Sequence, residues 1–230
     1  MKEDKKKNKA MQLLELGQSL WFDSIRRGML HNGEMEGMIA RGEIRGVTSN
    51  PTIFMQAITK STDYDDGLQA LGKTALKPED VFFKLAIEDI QAAADLFAPL
   101  YQQTQSGDGY VSLEVSPDLA YDSEATLAQA KEIWQSVNRP NLMIKIPATS
   151  AGLPAITAAI AAGVNVNATL IFSIERYREV VEAYLKGLEE RVNAGLPLGQ
   201  MASVASFFVS RMDSKIDPQL QKIIDEGGAK

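Results

Sequence analysis

Short apolar runs alternate along the chain with longer segments in which apolar residues recur every three or four positions. The short runs are typical of buried strands, and the longer segments have the periodicity of amphipathic helices. The predicted strands are Leu20–Phe22, Gly46–Thr48, Tyr110–Val115, Leu142–Ile146, Asn165–Phe172 and Met201–Phe208. The clearest predicted helices are Met35–Arg41, Pro78–Tyr101, Ser123–Ser136, Gly152–Ala161 and Ile174–Asn193.

This alternation of strands and helices predicts an α/β fold with βα units and a parallel sheet. The sequence contains neither the glycine fingerprint of dinucleotide-binding folds nor a P-loop motif. Polar residues instead follow the predicted strands, as they do at the C-terminal face of a (β/α)8 barrel. Six strands are predicted, and the segment 209–230 leaves no room for two more βα units. We therefore expect one incomplete TIM-barrel domain over residues 1–230, with about six of the eight units.

Composition narrows the possible classes of function. The chain has 24 lysines and arginines against 30 aspartates and glutamates, a net charge of −6, which argues against nucleic acid or an anionic membrane as the main partner. It has no cysteine, so a thiolate nucleophile and a disulfide framework are excluded. Its one histidine, His31, excludes a histidine-rich metal site. We expect His31 at a loop or helix start, without a catalytic role.

The first nine residues are mostly charged and predict a solvated tail over residues 1–9 that leads into a helix. No apolar run behind this tail is long enough for a signal peptide. No segment reaches the roughly 18 apolar residues that a membrane-spanning helix needs. The expected location is therefore cytoplasmic, with no membrane partner.

One lysine interrupts the fourth predicted strand. Lys145 stands within the run Leu-Met-Ile-Lys-Ile-Pro-Ala-Thr at 142–149. A lysine is rarely buried, because removing its charge from water is costly. A neutral amine in a dry site can attack a carbonyl and form a Schiff base. The alternative is a solvated lysine on the outer side of an edge strand.

The other predicted strands also end in chemically active side chains. In the third strand, alternation places Ser112, Glu114 and Ser116 on one face. The remaining groups are Asp23 after the first strand, Asn50 after the second, Asn167 and Thr169 on the fifth, and Ser206 and Arg211 at the sixth. Because the carboxyl ends of parallel strands share one edge, these groups are expected to form one site.

Five segments of the chain together resemble the transaldolases, which are Schiff-base-forming enzymes of the class I aldolase type. Gly-Val-Thr-Ser-Asn-Pro-Thr-Ile-Phe at 46–54 and Met-Ile-Lys-Ile-Pro-Ala-Thr at 143–149 match the two most specific signatures. The runs at 112–122, 167–173 and 206–213 fit further family patterns. The resemblance extends from about Trp21 to Ile216, points to the longer bacterial type and implies a (β/α)8 barrel.

The resemblance implies catalytic roles for four residues. Lys145 corresponds to the Schiff-base lysine, and Asp23 to the carboxylate that takes a proton from the C4 hydroxyl. Glu114 and Thr169 correspond to the pair that handles water and protons while the Schiff base forms. From the residues alone, the alternatives are a helix N-cap for Asp23, a solvent-side position for Glu114 and an ordinary strand threonine for Thr169.

The resemblance also implies a substrate-binding set. Asn50 and Asn167 correspond to residues that hydrogen-bond the sugar hydroxyls. Ser206 and Arg211 correspond to a phosphate site, where a guanidinium can bind phosphate through two hydrogen bonds. The alternatives are turn chemistry for Asn50, an ordinary strand-end serine for Ser206, and a surface ion pair with Asp213 or Asp217 for Arg211.

The expected reaction is transfer of a dihydroxyacetone unit. The resemblance implies fructose 6-phosphate or sedoheptulose 7-phosphate as donor and glyceraldehyde 3-phosphate or erythrose 4-phosphate as acceptor, within the non-oxidative pentose phosphate pathway. It implies no metal or organic cofactor, because the iminium serves as the electron sink. One alternative is a fructose 6-phosphate aldolase that releases free dihydroxyacetone, against which the long connection 55–109 argues. Another is an inactive barrel fragment that binds sugar phosphates.

The resemblance departs from the family pattern near the C-terminus. The seventh and eighth strands, and a further phosphate-contacting arginine, are not found in the sequence. One expectation is a fragment of a longer enzyme, some forms of which continue into a phosphoglucose isomerase domain. The other is a short natural chain that is inactive alone or completes its barrel with another copy. We favour the first.

Overall fold

The computed structural model describes residues 8–228, in which helices and strands alternate. The strands are β1 Trp21–Phe22, β2 Gly46–Val47, β3 Tyr110–Glu114, β4 Leu142–Pro147, β5 Val166–Ile171 and β6 Ser203–Phe207. The helices are α1 Lys9–Glu15, α2 Arg27–His31, α3 Glu34–Ala40, α4 Pro51–Lys60, α5 Asp65–Leu71, α6 Pro78–Gln103, α7 Ser123–Val137, α8 Gly152–Ala161, α9 Ile174–Asn193 and α10 Val209–Asp225. A short 3₁₀ turn spans Pro117–Leu119.

The strands form one parallel sheet in the order β1-β2-β3-β4-β5-β6. Helices cover the outer face, with α7, α8 and α9 packed side by side. The sheet curls into part of a barrel, so residues 8–228 supply six of the eight βα units of a TIM barrel. The six predicted strands are therefore confirmed, with ends that differ by a few residues.

The register between neighbouring strands aligns several of the predicted site residues. Glu114 on β3 pairs with Lys145 on β4. Lys145 in turn pairs with Asn167 on β5, and Thr169 pairs with Pro147 two positions further on. Side chains of alternate residues in a strand point to the same face, so the register brings these groups to the inner face of the sheet.

The five clearest predicted helices are confirmed, and the bounds of α8 and α9 agree with the prediction. Both helices end before a glycine with positive φ, Gly163 at +90° and Gly195 at +68°, a conformation that side chains with a Cβ disfavour. No helix between residues 8 and 228 is both long and apolar enough to cross a membrane.

Four helices were not predicted from the pattern: α2, α4, α5 and α10. Helix α4 starts at Pro51 directly after its cap Asn50, and this pair resembles a turn when read alone. Helix α10 contains Pro218, which conceals its periodicity. Because local signals of this kind resemble breaks, the pattern underestimates the helix content of the β2–β3 connection.

Two smaller expectations need correction. His31 is the last residue of α2 and not part of a loop or helix start, since α2 has only five residues and no periodic signal. Residues 1–7 of the predicted tail lie outside the described part of the chain. Asn8 accepts a hydrogen bond from the Met11 amide and caps α1, which Lys9 begins, so the tail prediction extended two residues too far.

The last strand and helix are less buried than the rest of the sheet. Every residue of β4 is buried, whereas β6 is only partly buried and α10 has no buried residue. Exposed apolar side chains are numerous on β6 and α10: Phe207, Val209, Met212, Ile216, Leu220, Ile223 and Ile224. The edge of the curled sheet formed by β6 and α10 is thus less firmly packed than its centre.

Candidate active site

Lys145 lies in the middle of the sheet, with only 5% of its surface exposed. Its Nζ donates a hydrogen bond to the backbone carbonyl of Ser49 at 3.0 Å and lies 3.6 Å from Glu114 Oε2. Strands flank β4 on both sides. The alternative of a solvated lysine on an edge strand is therefore wrong, and the amine is held in a largely dry site.

Glu114 faces Lys145 with a side chain that is only 12% exposed. Burial raises the pKa of this carboxyl, and the nearby Lys145 ammonium opposes that effect. Two further charges act on the same carboxyl: Arg211 lowers the pKa of Glu114, whereas Asp23 raises it. The alternative of a solvent-side glutamate is wrong. A carboxyl with a raised pKa is suited to hold and return a proton.

A chain of hydrogen bonds fixes Asn167 beside the lysine. Ser206 Oγ donates to Asn167 Oδ1 at 2.7 Å, and Asn167 Nδ2 donates to Ser112 Oγ at 3.1 Å. Both ends of the amide are therefore held, which sets its orientation. Ser49 Oγ donates to the Ser112 carbonyl at 2.7 Å and thereby holds the peptide that receives the Lys145 hydrogen bond.

Ser49 and Ser112 were not assigned roles from the sequence. Ser112 shares its strand face with Glu114, and Ser49 precedes Asn50 in one of the two specific motifs. These two positions in the sequence were the available indication that Ser49 and Ser112 belong to the site. The signal was weak because serine is common at strand ends, and only the contacts show what each hydroxyl holds.

Thr169 is buried on β5, and no group within residues 8–228 hydrogen-bonds its Oγ1. The β5–β6 register is irregular between Ala168 and Ile171, and Leu170 between them has a φ of +62°. Such a bulge changes the direction in which nearby side chains point. A buried hydroxyl without a protein partner is suited to hydrogen-bond a water or a substrate group.

Asp23 lies just after β1 with an exposed carboxylate. The N-cap of α2 is Arg26, and no side chain caps that position, so the alternative that Asp23 caps the helix is wrong. Asp23 follows the carboxyl end of β1, at the same edge of the parallel sheet where Glu114 ends β3, and its charge raises the pKa of Glu114.

Asn50 does have the turn role that was its alternative. Its Oδ1 accepts a hydrogen bond from the Ile53 amide at 2.9 Å and caps α4. The cap uses only the oxygen of the amide. Contact of Asn50 with a sugar remains a prediction.

Arg211 lies in the first turn of α10 and stacks its guanidinium on the Phe208 ring, 4.2 Å from the centroid. Phe208 in turn stacks on Phe172. Among residues 8–228, Arg211 pairs with neither Asp213 nor Asp217, so the alternative of a surface ion pair is wrong. The stacking holds the planar group near the carboxyl ends of β5 and β6, and phosphate binding there remains a prediction.

The structure thus brings together a buried amine, a carboxyl of raised pKa and a fixed amide, with a second carboxylate and a guanidinium on either flank. A buried amine beside a proton carrier is the arrangement that Schiff-base formation with a carbonyl substrate requires. The guanidinium adds the capacity to bind an anionic group.

Comparison with known proteins is consistent with this chemistry. The chain is 50% identical to a transaldolase of Thermobifida fusca over 215 residues, 94% of this chain and 58% of the relative. It is 48% identical to a transaldolase of Saccharopolyspora erythraea over 216 residues, again 94% and 58%. It is 44% identical to a transaldolase of Trichodesmium erythraeum over 223 residues, 95% and 59%. The chain therefore spans less than three fifths of the length of these curated relatives.

A family model described as Transaldolase/Fructose-6-phosphate aldolase matches residues 20–230, which include all six strands and every predicted site residue. The match agrees with the resemblance carried by the motifs around Asn50 and Lys145. The chain belongs to the transaldolase/fructose-6-phosphate aldolase family.

Proposed function

We propose that this chain carries the catalytic centre of a transaldolase. The reaction is transfer of a dihydroxyacetone unit from fructose 6-phosphate or sedoheptulose 7-phosphate to glyceraldehyde 3-phosphate or erythrose 4-phosphate, in the non-oxidative pentose phosphate pathway. The observation that supports it most directly is the buried Lys145 amine, 3.6 Å from the Glu114 carboxylate. The names of the curated relatives are consistent with this choice.

The first step joins Lys145 to the donor. The neutral amine attacks the C2 carbonyl of the ketose, and the resulting carbinolamine loses water to give an iminium. Glu114 supplies the proton that converts the leaving hydroxyl into water, which its raised pKa favours. Thr169 Oγ1, buried without a protein partner, holds that water in place.

The second step breaks the C3–C4 bond. Asp23 takes the proton from the C4 hydroxyl, the C4 oxygen becomes an aldehyde, and the bonding electrons move into the iminium. The aldose phosphate leaves and a three-carbon enamine remains on Lys145. The enamine carbon then attacks the acceptor aldehyde, Asp23 returns the proton, and hydrolysis of the new iminium frees the product.

The remaining predicted residues hold the substrate. Asn167, fixed at both ends of its amide, presents the same face to each bound sugar. Asn50, which directly follows Ser49, carries its side-chain NH₂ group at the start of α4. Arg211, with Ser206 close to it along the chain, binds the phosphate through charge-assisted hydrogen bonds. These four roles are supported by the family resemblance and, for Asn167 and Ser206, by the hydrogen bonds at the site.

Borohydride trapping with fructose 6-phosphate tests the proposal. Reduction of the iminium is expected to leave one covalent adduct, which intact mass and peptide mapping should locate on Lys145. A folded protein that forms no adduct, or forms it at another lysine, would contradict the proposal.

A coupled assay separates transfer from simple cleavage. Without an acceptor aldose, a transaldolase retains the enamine and releases free dihydroxyacetone slowly. Rapid release of free dihydroxyacetone would show a fructose 6-phosphate aldolase instead. All of α5 and α6, and the second half of α4, lie within the connection 55–109, the feature that argues for transfer.

A further inference from the structure

The N-terminus of α2 is held by side chains that come from far along the chain. Arg27, the first residue of α2, donates from Nε to Asp89 Oδ1 at 2.7 Å and from Nη2 to Glu88 Oε2 at 2.8 Å. Its guanidinium also lies 4.8 Å from the centre of the Tyr64 ring. These partners belong to α6 and to the residue preceding α5.

Two further hydrogen bonds hold the backbone of the same turn. The Arg27 amide donates to Tyr64 Oη at 3.1 Å, and Tyr64 Oη donates to Asp89 Oδ2 at 2.7 Å. The Gly28 amide donates to Asp63 Oδ2 at 2.9 Å. A Cβ on Gly28 would lie 2.7 Å from that oxygen, so a larger residue there would displace the Asp63 carboxylate. We name Asp63, Tyr64 and Asp89 the α2 clamp.

Burial of the charged and polar groups of the α2 clamp costs free energy that a purely structural contact could avoid. Asp89 is 1% exposed, and burial raises its pKa, while hydrogen bonds from Tyr64 and Arg27 oppose that effect. A buried ion pair is often no more stable than apolar residues of the same volume. What it adds is directional hydrogen bonds, which define position more narrowly than apolar packing does.

The clamp lies next to the loop that carries Asp23. Asp23 precedes Arg27 by four residues, and between them Ile25 is buried in the core. The loop therefore has one end in β1 and the other in the clamped turn. We infer that the α2 clamp is a positioning device for the Asp23 carboxylate, so that the β2–β3 connection has a role in catalysis. This inference rests on the proposed role of Asp23.

Single substitutions in the full-length protein test the inference. Tyr64→Phe removes one hydroxyl and keeps the ring. Asp89→Asn removes the negative charge that pairs with the Arg27 guanidinium. A small displacement of a reacting group costs up to about 100-fold in rate. We expect C3–C4 cleavage to slow by about 10- to 100-fold, while borohydride trapping on Lys145 stays within about twofold of the unmodified protein.

Asp108→Asn is the matched control. Asp108 is also a buried carboxylate, bonded to Arg45 Nε at 2.5 Å, but it lies at the amino ends of β2 and β3, away from the site. Its loss should lower the thermal midpoint as Asp89→Asn does and leave the ratio of cleavage to trapping unchanged. Equal ratios in the two variants would overturn the inference, as would a parallel loss of trapping and cleavage in Tyr64→Phe.

Combination with Asp23→Asn distinguishes this inference from the proposed function. If the clamp acts through Asp23, Tyr64→Phe should slow cleavage no further in a protein that already carries Asp23→Asn. Multiplying effects would contradict the inference and leave the role of Asp23 intact. Unchanged cleavage in Asp23→Asn alone would instead remove the proposed role of Asp23, and the positioning role would be lost with it.

Discussion

The two flanks of the site are held in different ways. On one flank, the Asp23 loop lies between β1 and a helix turn held by Asp63, Tyr64 and Asp89. On the other, Arg211 lies on α10, which has no buried residue, and is held by stacking on Phe208. Both charges act on the same Glu114 carboxyl.

This difference corresponds to the two tasks that we propose. A group that takes a proton from a particular hydroxyl must be placed within hydrogen-bond reach of it, so directional restraint is useful. A guanidinium that binds a phosphate tolerates more movement, because charge attraction varies slowly with distance. The rigid flank is therefore expected to control turnover, and the exposed flank to control binding.

Substitution of Lys145, which lies between the two flanks, should have the largest effect on activity. Lys145→Ala is expected to abolish borohydride trapping and to lower transfer by about 10⁴-fold or more, because the variant lacks the buried amine that forms the iminium. Steady-state transfer and intact mass measure the two effects. Lys131→Ala, on the exposed surface of α7, is the control and should match the unmodified protein. Retained trapping in Lys145→Ala would place the chemistry elsewhere.

Arg211→Ala should separate binding from turnover on the exposed flank. Loss of charge-assisted hydrogen bonds to the phosphate is expected to raise KM for fructose 6-phosphate by about 10- to 100-fold, with a smaller change in kcat. Unphosphorylated fructose is the control substrate, and its kcat/KM should be nearly unchanged. An equal loss with fructose would show that Arg211 supports the structure of the site and does not bind phosphate.

Substitutions on the two flanks should differ in their effect on the free energy of unfolding. Asp89→Asn breaks a buried network and is expected to cost about 2 to 4 kcal/mol. Arg211→Ala removes an exposed side chain and should stay within about 0.5 kcal/mol. Urea unfolding followed by circular dichroism measures both. Similar values for the two variants would show that the flanks are equally restrained.

Glu114→Gln should have a small effect on stability that depends on pH. Burial raises the pKa of Glu114 above its ordinary 4.5. Between pH 4.5 and the raised pKa, the folded protein therefore binds more protons than the unfolded chain. Stability falls as pH rises through that interval. Glutamine does not titrate, so the variant should gain stability relative to the unmodified protein as pH rises. Thermal midpoints at several pH values measure this gain, and a gain that grows toward low pH would contradict it.

The same substitution should slow transfer. Glutamine cannot deliver a proton, and loss of a general acid–base group lowers rates by about 10²- to 10⁴-fold. A variant that is more stable and less active would be consistent with Glu114 as a group retained for function at a cost in stability.

Local sequence determined most of the secondary structure and predicted the type of chemistry that we propose. The apolar runs predicted six strands, and a lysine inside one of them, within a specific motif, indicated Schiff-base chemistry before any contact was known. Helices α4 and α5 were not predicted, because Asn50-Pro51 and the short polar run before Asp65 resemble turns when read without their packing.

Only the tertiary structure decided which of these groups meet. The 3.6 Å distance between Lys145 and Glu114 follows from the register of β3 on β4, which no single strand specifies. The bond from Arg27 to Asp89 joins residues 62 positions apart, on elements whose patterns are independent of each other. Periodicity along a chain reports which face of each element is buried, whereas a hydrogen bond depends on where two elements lie relative to one another.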